Sequence, residues 1–515
     1  MLDLGTTFLA SLEREPAALA IIDGETRLTY SELYKKISAL VAAFDGLGLK
    51  PGDHLVSVLR NRWQAATLHW ACQFSGVILT PINWRSKADE IQYAVSDAEA
   101  RAIIFEAFSA DAVREADLRG DVHLICLHAC AGREIAFDTL VHADAPPAMP
   151  RVDADAWSLM LYTSGTTSRP KGVPRRQRAE RAAAIAHVAQ NLYAYGEKTL
   201  GVMPLYHTMG VRSLLASAVI NGTFVCLPKF DVAEALKLIE QEKIDNLYLV
   251  PTLYHSLINH PDFADADISS VRKLGFAGAP MTEGLLQALQ TAFKPDLFVN
   301  HYGSSEIYTC SINQRAQLKP GSAGKSGLNQ MIRVVALDAN DPEDRLPPGE
   351  EGQIIALMAG DEAFEGYWRR PEADAKAFKA GWYFSSDTGY FDADGDLFVT
   401  GRVDDMIITG GENVSPVEIE SLLSLHPAVS EVAVVGLPDE KWGKIVTAFI
   451  SRSRNVSEAE LDAYCAASAL ANFKRPRCYV FVTEIPKSPV GKLLRRKLVE
   501  GEYQLETSEK EKSIA

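Results

Sequence analysis

The chain has 515 residues, of which 47% are hydrophobic and 23% are charged, and its formal net charge is −15 at pH 7. This length exceeds what one hydrophobic core usually supports, so we expect at least two domains. The acidic balance argues against general nucleic-acid binding, which needs a basic surface. No apolar run reaches the length of a membrane span, because Arg212 interrupts the nearest candidate.

The cysteines and the N-terminus indicate the compartment. Seven cysteines are scattered along the chain, which is typical of reduced thiols rather than of a disulfide framework. Cys126 and Cys130 have the spacing of a metal-binding pair, but without a second pair we expect buried thiols. The residues after Met1 lack the basic stretch of a secretory signal. The sequence therefore predicts a cytoplasmic protein.

The first half of the chain alternates predicted helices and strands. Thr29 and Glu32 have the spacing of a capping box. The helix after them has one apolar face, formed by Leu33, Ile37, Leu40, Val41 and Phe44. Glycines at 46 and 48 end this helix before a strand at 55–59. Similar alternation continues to about residue 100 and again over 182–280, which predicts stacked α/β layers.

The segment 162–172, Tyr-Thr-Ser-Gly-Thr-Thr-Ser-Arg-Pro-Lys-Gly, follows an apolar run that predicts a buried strand. Gly165 permits a close backbone approach, and consecutive amides can form an anion-binding concavity. Further hydrogen bonds can come from the hydroxyls of Thr163, Ser164, Thr166 and Thr167. Lys171 adds a positive charge for outer phosphates, and Pro170 before it excludes a Walker loop. The segment alone predicts nucleotide binding.

Past residue 320 the pattern changes to short strands and Gly/Pro turns, which predicts a barrel-like or antiparallel part. Beyond Asp405, a helix at 417–424 and strands at 430–436, 446–451 and 478–483 predict a separate small α+β domain. Between residues 471 and 500, eight Lys and Arg residues stand against two Glu. This local positive charge is suited to polyanionic ligands. The polar tail from Gln504 is predicted to be disordered.

Five ordered segments resemble motifs of the acyl-adenylate-forming (AMP-binding) superfamily. Besides 162–172, these are Tyr-Gly-Ser-Ser-Glu at 302–306, Gly-Trp-Tyr-Phe-Ser-Ser-Asp-Thr-Gly at 381–389, Gly-Arg-Val-Asp-Asp at 401–405 and Pro-Lys-Ser-Pro-Val-Gly-Lys at 486–492. The resemblance covers essentially the whole chain. It is strongest to the acyl-CoA synthetase branch, and within it to 4-chlorobenzoate and benzoate:CoA ligases. Ser168 in place of glycine, Ser305 in place of threonine and the lack of a histidine after Lys171 leave the adenylation interpretation intact.

The resemblance implies an α/β fold with a large N-terminal domain of stacked αβα subdomains plus a small barrel, and a smaller mobile α+β C-terminal domain. Residues 1–401 are the implied adenylation core with the ATP site and the acyl pocket. Residues 402–404 are the implied hinge, and 405–515 the lid domain with the catalytic lysine. The implied ligands are ATP, Mg²⁺, coenzyme A and a carboxylic acid, and a homodimer is left open.

In the first half-reaction the carboxylate attacks the α-phosphate of ATP, so two anions must approach and the site must neutralise charge. The resemblance assigns this role to Lys492. It implies Mg²⁺ ligation by Glu306 and Thr166, since a hard cation takes oxygen donors. The other implied nucleotide contacts are the phosphate loop, Tyr302 for adenine, Gly303, Ser304 and Ser305, and Asp387 with Arg402 for the ribose.

In the second half-reaction coenzyme A supplies the thiol, so no protein cysteine is needed. The resemblance places the hinge at Asp404, and rotation there withdraws Lys492. The same rotation brings small residues, Gly410 and Gly411, against the pantetheine tunnel. The implied coenzyme A contacts are Arg85, Trp442, Phe473 and Arg475.

The acyl pocket is implied to be bounded by His207, Ala279, His301, Gly303, Tyr308 and Thr309. His207 lies at the reaction centre, where we expect an aromatic wall rather than a base. The polar groups favour a small planar acid with a polar substituent or ring heteroatom. For Arg212 we expect a solvent-facing or structural role, because a pocket role would favour a dicarboxylate. A fatty or dicarboxylic acyl-CoA synthetase and an enzyme that loads a carrier protein stay open as alternatives.

Overall fold

The computed structural model describes residues 1–128, 130–163, 169–487 and 493–506, with the side chains of residues 404 and 413 left aside. A large N-terminal domain carries two extended sheets, and a smaller C-terminal domain carries a three-stranded sheet and a two-stranded sheet. No helix within these ranges combines the length and apolarity that a bilayer crossing needs.

The strands are β1 (Leu19–Asp23), β2 (Thr26–Thr29), β3 (His54–Val58), β4 (Ile78–Pro81), β5 (Ala102–Phe105), β6 (His123–Cys126), β7 (Ile135–Ala136), β8 (Trp157–Thr163), β9 (Lys171–Arg176), β10 (Lys198–Gly201), β11 (Thr223–Cys226), β12 (Asn246–Leu249), β13 (Lys273–Phe276), β14 (Leu297–Tyr302), β15 (Ser311–Asn313), β16 (Ser322–Ser326), β17 (Ile332–Val335), β18 (Gly352–Leu357), β19 (Phe378–Lys379), β20 (Trp382–Phe391), β21 (Leu397–Arg402), β22 (Ile407–Thr409), β23 (Glu412–Val414), β24 (Val429–Asp439), β25 (Gly443–Arg452) and β26 (Cys478–Phe481). The helices are α1 (Leu4–Arg14), α2 (Tyr30–Gly46), α3 (Trp63–Ser75), α4 (Ala88–Asp97), α5 (Ala110–Glu115), α6 (Phe137–Val141), α7 (Gln177–Gln190), α8 (Thr208–Val219), α9 (Val232–Glu242), α10 (Pro251–Ile258), α11 (Glu283–Phe293), α12 (Pro371–Ala377), α13 (Pro416–Ser424), α14 (Glu458–Ala466) and α15 (Arg495–Val499).

The first sheet has seven strands in the order β7-β6-β5-β3-β4-β8-β9. Its pairs are parallel except for the β8–β9 hairpin. Parallel strands require crossover helices, which cover the faces of the sheet, and accordingly β3, β4 and β5 are buried throughout. The predicted α/β layering is therefore confirmed here.

The second sheet has 14 strands and joins a parallel part to an antiparallel part. Strands β1 and β10–β14 pair in parallel, whereas β14–β15, β15–β16 and the pairs among β16–β21 are antiparallel. The antiparallel part that was predicted past residue 320 is this second portion. The junction lies at β14, so the residues after β14 connect the two parts of the sheet.

Residues that predict a helix or a strand in the sequence form that element in the structure. Thr29 Oγ1 accepts a hydrogen bond from Glu32 N at 3.2 Å, and Glu32 Oε2 accepts one from Thr29 N at 2.8 Å. This capping box opens α2, whose predicted apolar face is buried. In the C-terminal domain, the helix predicted at 417–424 is α13, and the three predicted strands are β24, β25 and β26.

The C-terminal domain contacts the N-terminal domain through α13. This helix packs on α11 and β21. The Ser415 hydroxyl donates a hydrogen bond to the Thr400 carbonyl. A Cβ atom on Gly284 would lie 3.0 Å from the Ser424 carbonyl oxygen, so glycine permits α11 to approach α13 closely. The domain therefore lies beside the strand that ends in Arg402.

Two cysteines differ from the prediction. Cys126 ends β6, and the turn after it brings the Cα of Cys130 to 6.1 Å, where the structure forms a disulfide. The expectation of reduced thiols is wrong for this pair, because sequence spacing does not reveal how sharply the chain turns after β6. Cys72, Cys226, Cys310, Cys465 and Cys478 are free.

Candidate active site

The predicted phosphate loop connects β8 to β9. Thr163 and Lys171 are paired in register at the end of this hairpin, and the Thr163 hydroxyl donates to the Lys171 carbonyl at 3.4 Å. The Lys171 ammonium lies 4.1 Å from the centre of the Tyr367 ring. The predicted phosphate ligands Ser164, Gly165, Thr166 and Thr167 lie outside the described residues. The structure thus places the two ends of the loop.

Glu306 lies in a tight turn after β14 and is 7% exposed. Ser304 N donates to the Ile307 carbonyl at 2.8 Å. A Cβ atom on Gly303 would lie 2.2 Å from the Tyr308 carbonyl oxygen, so the turn requires glycine at this position. Ser305, which precedes Glu306, is partly exposed. The turn fixes the direction of the Glu306 side chain.

The Glu306 carboxylate fits a magnesium ligand. Its Oε1 accepts a hydrogen bond from the Tyr367 hydroxyl at 2.8 Å. The ring of Tyr367 also contacts the Lys171 ammonium, which links the carboxylate to the end of the phosphate-loop hairpin. A buried carboxylate held by a neutral donor offers the hard oxygen that Mg²⁺ prefers. Glu306 is therefore the residue that would hold the metal, which neutralises phosphate charge when it is bound.

The predicted ribose site is assembled by the β20–β21 hairpin. Asp387 and Arg402 are paired in register, and their charged groups approach to 3.7 Å. Tyr302 donates a hydrogen bond from its hydroxyl to Asp387 Oδ2 at 2.6 Å. Burial raises the pKa of Tyr302 well above its ordinary value, and Asp387 adds to the rise, so the phenol stays a donor. The structure therefore brings these three predicted nucleotide residues together.

The residues predicted for the acyl pocket lie on α8, β14 and the following segment. His207 precedes α8 and its ring centre is 4.7 Å from that of Tyr206. His301 on β14, Tyr308 and Thr309 are buried. Ala279 is partly exposed and follows Gly278 after β13. The three hydrogen-bonding residues that were predicted for the pocket, His301, Tyr308 and Thr309, therefore lie in the protein interior.

Of the two roles that were left open for Arg212, the solvent-facing one is wrong. Its side chain is not exposed to solvent but lies in the interior, with 2% of its surface accessible. It donates from Nη1 to the Tyr308 carbonyl at 3.1 Å and to Thr309 Oγ1 at 2.7 Å. The reason is that α8 is buried over almost its whole length, so that it has no solvent-facing side at this position. Arg212 thus contacts two predicted pocket residues.

A buried ion pair behind this site was not predicted. Arg175 Nε donates to Glu180 Oε1 at 2.7 Å, and both side chains are 0% exposed. Arg175 Nη1 donates to the carbonyls of Glu306 at 3.0 Å and Glu362 at 2.6 Å, and its guanidinium lies 4.0 Å from the Tyr308 ring centre. In the sequence, Arg175 belongs to an Arg-rich run that is typical of a surface. The pair holds the Glu306 turn against β9.

The predicted coenzyme A residues lie on both domains. On the N-terminal domain, the Arg85 guanidinium stacks 3.9 Å from the Trp84 ring centre, beside an open cavity of about 520 Å³. The exposed ring of Phe108 lies against the same indole, with 4.6 Å between ring centres. A cation on an aromatic ring next to an open cavity suits a phosphate with an adjoining base.

On the C-terminal domain, Arg475 lines a cavity of about 650 Å³ and pairs with both carboxylate oxygens of Asp462 at 2.6 and 2.7 Å. The Phe473 side chain is exposed. Trp442 lies under the Arg477 guanidinium at 4.2 Å. The cation and the aromatic groups that are predicted to bind coenzyme A on the C-terminal domain are therefore accessible.

The predicted hinge and catalytic lysine are only partly covered by the structure. Gly410 and Gly411 have φ angles of 58° and 91°, and a Cβ atom on Gly410 would lie 2.7 Å from the Trp442 ring. Both positions therefore favour glycine. Asp404 belongs to a short 3₁₀ turn, and its side chain lies outside the described part of the chain. Lys492 lies outside it altogether.

The carboxylate at position 306, the Asp387–Arg402 pair and the β8–β9 hairpin are the groups expected of a nucleotide-dependent enzyme. Residues 8–368 match the AMP-binding enzyme family, and residues 418–492 match the AMP-binding enzyme C-terminal domain. The chain belongs to the AMP-binding enzyme family. The predicted superfamily is thereby confirmed.

Individual relatives support the same branch. The chain is 34% identical to the 4-chlorobenzoate–CoA ligase of Arthrobacter sp over 95% of this chain and 93% of that protein. It is 33% identical to a long-chain-fatty-acid–CoA ligase of Mycobacterium tuberculosis over 92% and 93% of the two chains. The solved structure of an anthranilate CoA ligase with anthranoyl-AMP has a TM-score of 0.89 and 26% identity, with 97% of each chain covered. The chain is an AMP-forming acid–thiol ligase, and the CoA ligases of this family use ATP, Mg²⁺ and coenzyme A.

Proposed function

We propose that this ligase acts on a small aromatic or heteroaromatic carboxylic acid. The observation that supports this substrate class is the buried group of His301, Tyr308 and Thr309 in the predicted acyl pocket. Rings and hydrogen-bonding groups suit a planar acid with a polar atom. The bulky Tyr308 argues against a long alkyl tunnel. Similarity to ligases named for 4-chlorobenzoate and anthranilate favours the same class.

The first half-reaction converts the acid into an acyl-adenylate and releases pyrophosphate. Lys492 bridges the carboxylate and the α-phosphate, so that charge is neutralised where the new bond forms. Glu306 and Thr166 would hold the magnesium ion, which would screen the phosphate charge when it is bound. Asp387 accepts from the ribose hydroxyls with Arg402 beside it, and the ring of Tyr302 supports the adenine.

The second half-reaction transfers the acyl group to coenzyme A and releases AMP. The N-terminal core then spans 1–401, the hinge 402–404 and the lid domain 405–515. Rotation at Asp404 withdraws Lys492 and presents Gly410 and Gly411 to the pantetheine. Arg85, Trp442, Phe473 and Arg475 bind the nucleotide end of coenzyme A. For Arg475 this requires that its ion pair with Asp462 opens or is shared with a phosphate.

Two other substrates define the competing functions. The similarity to a long-chain-fatty-acid ligase keeps a fatty acid as the second candidate. A carrier protein in place of coenzyme A is the third, and the cations Arg85 and Arg475 with the aromatic Trp442 argue against it. We further propose a cytoplasmic enzyme, since ATP and coenzyme A are its co-substrates. The homodimer stays a prediction that sedimentation equilibrium tests.

A substrate panel tests the proposal. The measurement is kcat/KM for benzoate, the hydroxybenzoates, furoate, octanoate and malonate, from pyrophosphate release with and without coenzyme A. We expect an aromatic or furan acid to be preferred, and its thioester to be detected by mass spectrometry. A preference for octanoate or malonate would overturn the aromatic assignment. An adenylate that forms but never transfers to free coenzyme A would favour the carrier protein.

A further inference from the structure

A group of polar side chains surrounds the ring of Tyr248 next to the predicted acyl pocket. We name His187, Asn191, Arg212, Tyr248 and His301 the distal polar cluster. The ring centres of His187 and His301 lie 4.8 and 5.2 Å from that of Tyr248, and 5.3 Å from each other. The Arg212 guanidinium lies 5.2 Å from the same ring and donates to the Tyr248 hydroxyl. Every member of the cluster except Tyr248 has a side-chain nitrogen that can donate or accept a hydrogen bond.

The side chain of Asn191 lies between both imidazoles, and its contacts serve to assign their protons. Its amide nitrogen lies 2.8 Å from the His187 carbonyl and 3.0 Å from His187 Nδ1, and it has two protons to donate. His187 Nδ1 must then be an acceptor, and its proton is on Nε2. The amide oxygen lies 3.2 Å from His301 Nε2 and can only accept. We assign the His301 proton to Nε2, where it satisfies this oxygen; the opposite tautomer would accept from the amide nitrogen, which lies at 3.1 Å.

Three buried atoms of the cluster then have no hydrogen-bond partner within the described part of the chain. They are His187 Nε2, a donor, Arg212 Nε, a donor, and His301 Nδ1, an acceptor. The three side chains are at most 2% exposed. A buried polar group without a partner is costly, and a water molecule or a ligand can supply the missing hydrogen bond. The cluster offers both donors and an acceptor.

The surroundings of the Arg212 charge restrict the chemical class of ligand that the cluster can bind. Its direct contacts are neutral: the Tyr308 carbonyl, Thr309 Oγ1 and the Tyr248 hydroxyl. Burial raises the pKa of the nearby carboxyls of Glu180 and Glu362, and the positive charge of Arg212 opposes this rise. Glu180 is already paired with Arg175, so Glu362 is the carboxyl on which Arg212 acts most strongly. A second anionic group on the substrate would be repelled by both carboxyls and by the lone pair of the imidazole acceptor.

On the basis of the proposed function, we propose that the distal polar cluster recognises a hydroxyl group on the aromatic acid. A hydroxyl accepts from Arg212 Nε or His187 Nε2 and donates to His301 Nδ1, so that one group satisfies both kinds of unpaired atom. A methyl group of the same size satisfies neither, and a carboxylate cannot donate. Arg212 and His301 are thus specificity-determining residues of the ligase.

The test compares acids of equal size in the wild-type enzyme. Each of the three hydroxybenzoates is paired with the matching methylbenzoate, and benzoate, isophthalate, terephthalate and octanoate complete the series. The readout is the ratio of kcat/KM for hydroxy and methyl acids. We expect one hydroxybenzoate to exceed its methyl partner by roughly 10²–10⁴-fold, since a site built for a hydroxyl rejects analogues without it. This comparison does not depend on any variant.

Variants test the residues through the same ratio, which a loss of stability alone does not change. His301→Phe and Arg212→Met are expected to lower the hydroxy-to-methyl ratio at least about tenfold, because each removes an unpaired polar atom. His301→Asn keeps a polar group and is expected to retain part of the ratio. His54→Phe is the matched control, because His54 is equally buried and has an unpaired Nε2 but lies in the seven-stranded sheet. Its ratio should equal that of the wild type.

The outcomes separate this inference from the proposed function. Equal rates on hydroxy and methyl acids, with aromatic acids still used, overturn the hydroxyl inference and leave the proposed function standing. A preference for isophthalate or terephthalate overturns it in favour of a carboxylate paired with Arg212. Use of octanoate alone overturns the proposed function and the inference with it. An unchanged ratio in both His301→Phe and Arg212→Met removes the cluster from substrate recognition.

Discussion

Replacing Arg175 with methionine breaks the buried ion pair behind the Glu306 turn. Both partners are 0% exposed, so the Glu180 carboxylate loses its cation out of reach of water. The carbonyls of Glu306 and Glu362 each lose a donor as well. Removal of one partner of a buried pair costs about 3–5 kcal/mol, whereas replacement of both by apolar residues is often nearly neutral. We therefore expect Arg175→Met to be far less stable than the Arg175→Met/Glu180→Met double variant.

The same pair predicts how the effect depends on pH. Burial raises the pKa of the Glu180 carboxyl above its ordinary value of 4.5, and Arg175 opposes the rise. In Arg175→Met the strongest opposition to this rise is lost, so the pKa rises further and the folded state keeps a proton that the unfolded state releases. The protonated Glu180 carboxyl then contributes stability below its pKa in the unfolded state. This contribution is lost as the pH rises through its pKa in the folded state. The free energy of unfolding that Arg175→Met loses relative to wild type should therefore be greater at pH 8 than at pH 5.

Urea unfolding at pH 5 and pH 8, followed by tryptophan fluorescence, measures these free energies. Arg272→Met is the control, because Arg272 pairs with Asp296 in an exposed position, with side chains 54% and 62% accessible. An exposed pair contributes about 0–1 kcal/mol, with little change between the two pH values. The reasoning is refuted if Arg175→Met loses no more stability than Arg272→Met. It is also refuted if Arg175→Met/Glu180→Met is as unstable as Arg175→Met.

Three further predictions concern the chemistry. Lys492→Ala should slow adenylate formation by roughly 10²–10³-fold but spare thioester formation from a supplied acyl-adenylate; single-turnover assays of each half-reaction decide this, and equal losses would contradict two domain positions. Trp442→Ala and Arg475→Ala should each raise the KM for coenzyme A with adenylation intact, and an unchanged KM would remove both residues from that site. Glu306→Gln should raise the Mg²⁺ concentration needed for half-maximal pyrophosphate release, because a neutral amide is a weaker ligand for a hard cation; an unchanged requirement would assign the metal elsewhere.

The parts of the fold that follow local rules were predictable from the sequence. The capping box at Thr29 opens a helix because the two residues satisfy each other's backbone groups without tertiary help. The Asp387–Arg402 pair was indicated by motifs, and the β20–β21 register brings the two together. The turn at Gly303 was part of a motif as well, and its geometry explains the glycine. In each case the signal lies within a few neighbouring residues.

The buried charges were not predictable in the same way. Arg175 stands beside Arg176 in the sequence, yet one is fully buried and the other forms partly exposed ion pairs. Arg175 is distinguished by Glu180, by the Tyr308 ring and by the distant carbonyls at 306 and 362. Arg212 had a usable signal, since a helix that is apolar on all sides is usually buried with whatever polar residue it contains. His187 had none, because the two rings that it contacts besides its near neighbours come from β12 and β14.

The central claim is that an aromatic acid is activated by adenylation and then transferred to coenzyme A. A hydroxybenzoate with ¹⁸O in both carboxyl oxygens tests this directly. If the carboxylate attacks the α-phosphate and the thiol then displaces AMP, mass spectrometry will find one ¹⁸O in AMP and the other in the thioester carbonyl. Label in inorganic phosphate with formation of ADP, or unlabelled AMP beside a labelled thioester, would contradict the account.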